Sequence, residues 1–413
     1  MGLKLFCSRT FQGGVHPPEN KKLSCDCPIS PGPAPKEIAV LLSQHIGAVC
    51  QPVVDRKDKV EAGQVVGRAE AFVSAPVHSP VNGTVKEIAL QSHPVLGRAM
   101  AVVIEAQAQG RLKSPVAERF GADFDDTPYS AERIRSAVGQ AGIVGLGGAG
   151  FPTSVKLTPN KDMPINDLIL NGGECEPYIT CDYRMMIEWT HQILAGLLLA
   201  GKAVDAKNIH IAIEDNKPEA VDRMKKAVAG LKAAKNVNVV VMRTRYPQGG
   251  ERQLIRTLLG KNVPTAGIPP MINTLVINVA TAAAIAEAVA FGNPLTHRVV
   301  TVSGRGINRT GNFYVANGTT VGEMISFCGG LKDEAVKVIL GGPMMGFAVA
   351  DFSTPLTKTN GAITVLTEEE VTPAKHRGRQ TSCMKCGRCL DACPVNLNPT
   401  KLAHAVMYDM LEV

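Results

Sequence analysis

Four cysteines fall within eleven residues in "CMKCGRCLDACPV", where Cys383, Cys386, Cys389, Cys393 and Pro394 reproduce the spacing C-x2-C-x2-C-x3-C-P without a mismatch. Two-residue gaps wrap one short loop around an iron–sulfur cubane, so that three thiolates converge on three irons, and Gly387 permits the tight turn. Zinc is the competing metal, but zinc modules usually separate two Cys or Cys/His pairs by a longer loop. In two-cluster proteins of this kind the fourth cysteine serves the other cluster. No second copy of the motif is present, so either Cys393 completes a single 4Fe-4S cluster or the chain is a shortened version of something longer, and shortening is the preferred reading.

A second group with chemical potential is Gly145, Gly147, Gly148 and Gly150 in "GLGGAGF". Glycines at that density let backbone amides approach a phosphate or a planar ring closely at a helix start. On spacing alone a structural turn is as compatible as a nucleotide site, because the G-x-G-x-x-G fingerprint lacks the acidic ribose ligand that should follow it. Cys25 and Cys27 lie in a Pro-rich segment with no further ligand at zinc spacing and read as structural or incidental, while Cys175 and Cys181 read as buried thiols rather than ligands.

The elements that must position these residues form several units, as a length of 413 residues requires. Residues 1–110 read as a small β domain of short runs punctuated by Gly and Pro, among them "VEAGQVVG" and "APVHSPVNGTVKEI". This looks like the barrel-sandwich hybrid of biotinyl and lipoyl carriers, but the Phe72 to Ser79 stretch has no lysine to modify, which leaves a scaffold role. A polar linker near Gly110 to Ser130 leads to residues 131–295, where strands ("DLIL", "NIHIAI", "NVNVVVM", "TLVINV") alternate with helices expected at Asp182 to Ala200, Pro218 to Ala234 and Thr281 to Ala290. Such alternation predicts an α/β sheet flanked by helices. Residues 296–350 form a compact α+β unit of β-grasp size, with a helix at Thr320 to Cys328. A connector at Glu368 to Gln380 precedes the ferredoxin-type segment 370–413.

Composition removes several function classes. With 45% hydrophobic and 20% charged residues the chain is globular, and 4% aromatics without an interleaved basic stripe argues against a nucleic-acid binder. The net charge of +7 suits anionic partners such as nucleotides, acidic redox proteins or a lipid surface. No signal peptide is recognisable, and the longest uncharged window, which takes in Thr265 to Ala286, is interrupted by Pro269-Pro270 and is not counted as a membrane span.

The segments "GLGGAGFPTSVK", "NGGECEP" and "YPQGGE" resemble three segments of the flavin subunit of respiratory complex I that surround FMN and NADH. With "FQGGVHPPENKK", "QHIG", "APVHSPVNGTV", the β-grasp unit and the cysteine motif added, the chain from Phe11 to Leu402 resembles the RnfC-type components of the Rnf (Rsx) ion-translocating oxidoreductases. The A-type component of the sodium-pumping quinone reductases shares parts of this layout but lacks the glycine loop and the cysteine motif.

The resemblance implies that Gly145, Gly147, Gly148, Gly150 and Phe151 line FMN and that Lys156 offers a cation to its phosphate or to the nucleotide. It places Asn171, Glu174 and Glu176 at the polar contacts of flavin and nicotinamide, with "NGG" standing where that family carries N-A-D. Gly249, Gly250 and Glu251 match the second glycine-acid segment, and Asn278 and Thr281 the later asparagine segment. Glu174 and Glu251 are alternatively helix N-terminal charges.

The implied cofactors are FMN, NAD(H) and 4Fe-4S clusters, two in the full-length family. The implied partners are the membrane subunits of the complex, its ferredoxin-like subunit and ferredoxin, with the chain peripheral on the cytoplasmic side of the bacterial inner membrane. The implied activity exchanges electrons between NAD(H), flavin and clusters, coupled by partner subunits to cation movement. The alternative is a docking or relay subunit without NADH activity of its own.

Overall fold

The computed structural model describes residues 10–107, 119–372 and 383–410, so the first part of the polar linker and most of the connector at 368–380 lie outside the described residues. Its centre is a four-stranded parallel sheet made of Asp167–Gly172, Asn208–Glu214, Val237–Met242 and Thr274–Asn278. The first strand is flanked by the second on one side and the fourth on the other, and the third lies outside the second. Successive connections therefore run outward in one direction and then cross back, which makes a switch point between the carboxyl ends of Asp167–Gly172 and Thr274–Asn278. Ligands of open parallel sheets bind in the crevice at such a point.

The strands read as near-continuous apolar runs because both faces are covered; Leu168, Ile169 and Leu170 are all fully buried. Helices Ala131–Gln140, Thr190–Val204 and Val279–Phe291 pack together against the sheet. The alanine-rich Val279–Phe291 helix is buried on most of its surface, as a helix that is apolar all round must be. Its crossing with Thr190–Val204 is close enough that a Cβ on Gly196 would lie 1.7 Å from the Ala282 carbonyl oxygen.

The helix expected over Asp182 to Ala200 is two helices, Cys181–Glu188 and Thr190–Val204, because Trp189 leaves the helical region with ψ 32°. The break buries Trp189 against Tyr314 of the neighbouring unit, with ring centroids 6.0 Å apart. The helix expected to run to Ala234 ends at Gly230, and a 3-10 turn follows at Lys232–Ala234. The remaining helices of these units fall within a few residues of their expected positions; Val321–Phe327 carries a complete capping box from Thr320 and Glu323.

Two other units flank the sheet. The N-terminal barrel has one layer of Glu37–Leu41, Gly97–Ala106, Gly83–His93 and Lys59–Val60, and a second of Gln51–Pro52, Val65–Arg68 and Val77–His78. The C-terminal unit is a mixed sheet to which Ile29–Pro31 adds one edge and Ala362–Thr367 an internal strand. A single buried cation joins all three: Lys358 donates from Nζ to the carbonyls of Pro76 in the barrel and Gly142 before the glycine loop, at 2.7 Å each. Burial pushes its ammonium down to about 7. Among the described residues no helix is long and apolar enough to cross a membrane.

Gly196→Ala is expected to destabilise the α/β unit by about 1–3 kcal/mol through overpacking, read as a lowered denaturant midpoint. An unchanged midpoint would mean that the two helices are not held at this separation.

Candidate functional site

The glycine loop lies across the switch point. It is closed at its base by the Gly145 amide donating to the Phe151 carbonyl at 2.9 Å and by a bridge between Val144 and Pro152. Gly147, Gly148 and Ala149 stand exposed at its crest, whereas Gly150 is buried at φ +71° beneath the barrel, where its carbonyl accepts from the Ile46 amide at 3.2 Å. A Cβ on Gly147 would sit 2.8 Å from the Asn278 side-chain nitrogen, while one on Gly148 would meet nothing within 4 Å. Thr281 holds the loop from below by accepting the Leu146 amide at 3.0 Å. The helix after the loop is only Thr153–Lys156, so any phosphate affinity here comes from loop amides more than from a helix dipole.

Opposite this loop, the two other glycine segments meet backbone to backbone. A Cβ on Gly249 would lie 1.9 Å from the Gly173 carbonyl oxygen, and one on Gly172 would lie 2.8 Å from that of Ala212. The departure to "NGG" therefore has a packing reason. Asn171 links the pair, donating to the Gly249 carbonyl at 2.8 Å and accepting the Gly173 amide at 3.0 Å. Asn278, its register partner, caps its helix through the Ala280 amide at 2.8 Å and donates to Asp182 at 2.6 Å.

The three acidic residues are placed differently. Glu174 is 7% exposed; one carboxylate oxygen accepts the Asp182 amide at 2.8 Å, so it caps the Cys181–Glu188 helix from outside, and the other lies 3.6 Å from Lys21 Nζ with no hydrogen bond. Burial pushes this carboxyl up to about 7, against the pull of Lys21. Glu176 accepts the Met344 amide at 3.1 Å and is also raised by burial; its second oxygen is buried without a partner. Glu251 begins the helix Glu251–Leu259, an N-terminal charge as one reading has it, and lies 3.7 Å from Lys156. Lys156 also donates to the Val276 carbonyl at 3.3 Å.

Sequence reasoning missed Asp182 and Lys21. Glu174, Cys181 and Asp182 bring their ligand atoms within 4.8 Å of one another, but Asn278 and the Glu174 cap engage the carboxylate and amide of Asp182. Lys21 donates to the carbonyls of Glu176 and Ile179 at 2.9 and 2.6 Å, and its place in "PPENKK" gave a faint signal.

The four motif cysteines occupy a loop and the helix Arg388–Ala392, all as free thiols. Left-handed residues Lys385, Gly387 and Asn396 turn the chain around them. Donors already face sulfur: the Lys385 amide lies 3.4 Å from Cys383 Sγ, the Leu397 amide 3.3 Å from Cys393 Sγ, and the Thr400 hydroxyl 3.6 Å from Cys389 Sγ. A thiol set with amide donors fits an iron–sulfur cluster, whose sulfurs are tuned by such bonds. The open crest of the glycine loop and the two buried acceptors without donors likewise fit a planar polar cofactor with a phosphate.

Comparison with known proteins decides the family. Residues 9–109 match the RnfC barrel sandwich hybrid domain, 138–287 the Nuo51 FMN-binding domain and 299–348 the SLBB domain. The chain is 42% identical over 395 residues to the RnfC-type component of the proton-translocating ferredoxin:NAD(+) oxidoreductase complex of Clostridium ljungdahlii, covering 96% of this chain and 84% of that one. The chain belongs to the RnfC family.

The counterpart from the sodium-translocating complex of Acetobacterium woodii is 38% identical over 95% of this chain and 86% of its own. The counterpart from the ion-translocating oxidoreductase complex of Rhodobacter capsulatus is 38% identical over 96% and 74%. Membership makes the chain an electron-transport subunit, an oxidoreductase component, as the resemblance implied. An NAD+-reducing [NiFe]-hydrogenase in its air-oxidised state shares the fold, with TM-score 0.57 and 21% identity over 72% of this chain and 56% of that one.

Because the Glu174 carboxyl is raised from 4.5 to about 7, its share of stability is complete below about pH 4.5 and is lost as pH rises through about 7. Glu174→Gln is expected to flatten this decline. Denaturant midpoints at pH 5 and pH 8 check it, and an unchanged slope in the variant would assign the titration elsewhere.

Proposed function

We propose that the carboxyl edge of the parallel sheet binds FMN and receives NAD(H), and that Cys383, Cys386, Cys389 and Cys393 hold a 4Fe-4S cluster that takes the electrons onward. The observation that carries this reading is the crossing of an exposed glycine crest over the switch point, where Gly147 lies against Asn278 at the carboxyl end of the fourth strand. When bound, flavin exchanges a hydride with nicotinamide and passes electrons one at a time to iron–sulfur clusters.

The chain's own work is positional. Gly148 leaves open space where a side chain would stand, Gly147 lets the loop close on Asn278, and Gly145 and Phe151 hold the loop's base. Asn171 and Asn278 are each fixed at both ends of the amide, so their orientation is set before any ligand arrives. Glu174 and Glu176 offer acceptors to ring or ribose donors, and Lys156, paired with Glu251 beside Gly249 and Gly250, sets the charge at the rim. Thr281 keeps the loop at its height. Asp182 holds Asn278 rather than the ligand.

Partner subunits in the membrane, a ferredoxin-like subunit and ferredoxin itself complete the circuit in this reading, and the chain sits peripherally on the cytoplasmic side of the inner membrane. The names of its relatives, which describe ferredoxin:NAD(+) oxidoreductases that translocate protons or sodium ions, support it. The domain boundaries at 1–110, 131–295, 296–350 and 370–413 are part of the same proposal, with Ile29–Pro31 and Ala362–Thr367 completing the sheet of the third unit from outside its bounds.

The test is NADH oxidation with an artificial acceptor by the anaerobically purified chain loaded with FMN and iron–sulfur. Gly147→Val, whose side chain would enter Asn278, is expected to lower bound flavin and turnover together, while Cys389→Ser keeps flavin and loses the cluster's visible absorption. A chain that binds iron but neither flavin nor NADH would instead be the relay subunit.

A further inference from the structure

The N-terminal segment "FQGGVHPPENKK" crosses the carboxyl ends of three of the four parallel strands. Lys21 is tied to the segment after the first strand, Glu19 accepts from both the Tyr178 amide and the Asn216 side chain at 2.8 Å, and Val15 exchanges two backbone bonds with Tyr246 at 2.8 and 2.9 Å. Its inner side forms one wall of a pocket whose other wall includes Glu174, Cys175 and Glu214. Its far end reaches the cysteine segment: the Gly14 amide donates to the Ala392 carbonyl at 2.7 Å, one residue before Cys393. Among the described residues this is the one hydrogen bond joining 383–410 to the rest of the chain.

The approach needs two consecutive glycines. Gly13 and Gly14 have φ +84° and +82°; a Cβ on Gly13 would lie 3.0 Å from the Ala392 carbonyl oxygen, and one on Gly14 would lie 2.6 Å from Arg245 Cδ. Arg245 fixes this turn from the sheet side, donating to the carbonyls of Phe11 and Gly13 at 3.0 and 2.8 Å, while Phe11 anchors it at 4% exposure. One guanidinium between two carbonyls, with a glycine pair folded over it, sets how far Cys393 stands from the sheet edge.

We propose that this strap is the coupling element between the nucleotide end and the cluster end, and that Arg245 is a positioning residue that fixes the distance electrons must cross. The inference rests on the function proposed above. NADH gives a hydride, two electrons and a proton, to the flavin; the electrons leave singly to the iron–sulfur cluster, the proton goes to solvent, and an added one-electron acceptor such as ferricyanide closes the cycle. Tunnelling falls steeply with distance, so loosening the strap slows the second half-reaction and spares the first.

Arg245→Gln and Gly14→Ala, made in the full cofactor-loaded chain, test this by stopped-flow. Flavin reduction by NADH is expected to stay within about twofold of wild type, while cluster bleaching slows by about tenfold or more, as misplacement of reacting partners does. Faster amide hydrogen exchange at Gly14 and across Arg388–Cys393 is expected in both variants, with the cluster's reduction potential unchanged. Wild-type rates for both steps, or both slowed in parallel, would overturn the coupling role. A wild-type chain that takes no electrons from NADH would overturn the proposed function, and this inference with it.

Discussion

The structure depends on backbone meeting backbone where a methyl group has no room. At the carboxyl edge of the sheet Gly173 faces Gly249, Gly172 faces Ala212, and Gly147 lies against Asn278, so three loops from distant parts of the chain converge more tightly than side chains would allow. Loops at such an edge usually diverge around side chains. Here they form a wall of amides and carbonyls, oriented by two asparagines whose hydrogen-bonding groups are used on both sides. The close crossing at Gly196 lets the Thr190–Val204 and Val279–Phe291 helices draw in behind the wall.

Burial then supplies the electrostatics. Glu174, Asp182 and Arg298 share a dry region in which every charge is costly unless paired. Burial raises both carboxyls, and the attractive partners, Lys21 for Glu174 and Asn278 for Asp182, offset part of that cost. A site poised in this way changes its charge readily when a ligand adds or removes a donor. Lys358 makes a comparable but structural joint, with its ammonium held between carbonyls of the barrel and of the segment leading to the glycine loop.

Much of this was legible in the sequence, for reasons that differ by residue. The cysteine loop and the glycine crest are local: spacing alone dictates that Cys383 to Cys393 fold on one turn, and the density of glycine in "GLGGAGF" announces an exposed backbone. The strands showed because both faces are buried. The break at Trp189 did not, since it is decided by Tyr314, more than a hundred residues away, and the apolar pattern runs through it. Asp182, Lys21 and Arg245 were hidden for the same reason: each acts through a partner distant in sequence, and a lone charged residue in a polar stretch looks solvated. "NGG" showed as a departure from a motif, and its reason, the approach of Gly249, exists only in three dimensions.

On the proposed function, electrons entering at the carboxyl edge leave through thiolate-held iron near the glycine strap. Anaerobic electron paramagnetic resonance of the cofactor-loaded chain after one equivalent of NADH tests it most directly. The signal of a reduced iron–sulfur cluster is expected to appear with flavin bound and to be absent from a flavin-free preparation. A chain whose cysteines hold only zinc, or whose cluster is reduced by NADH just as fast without flavin, would contradict it.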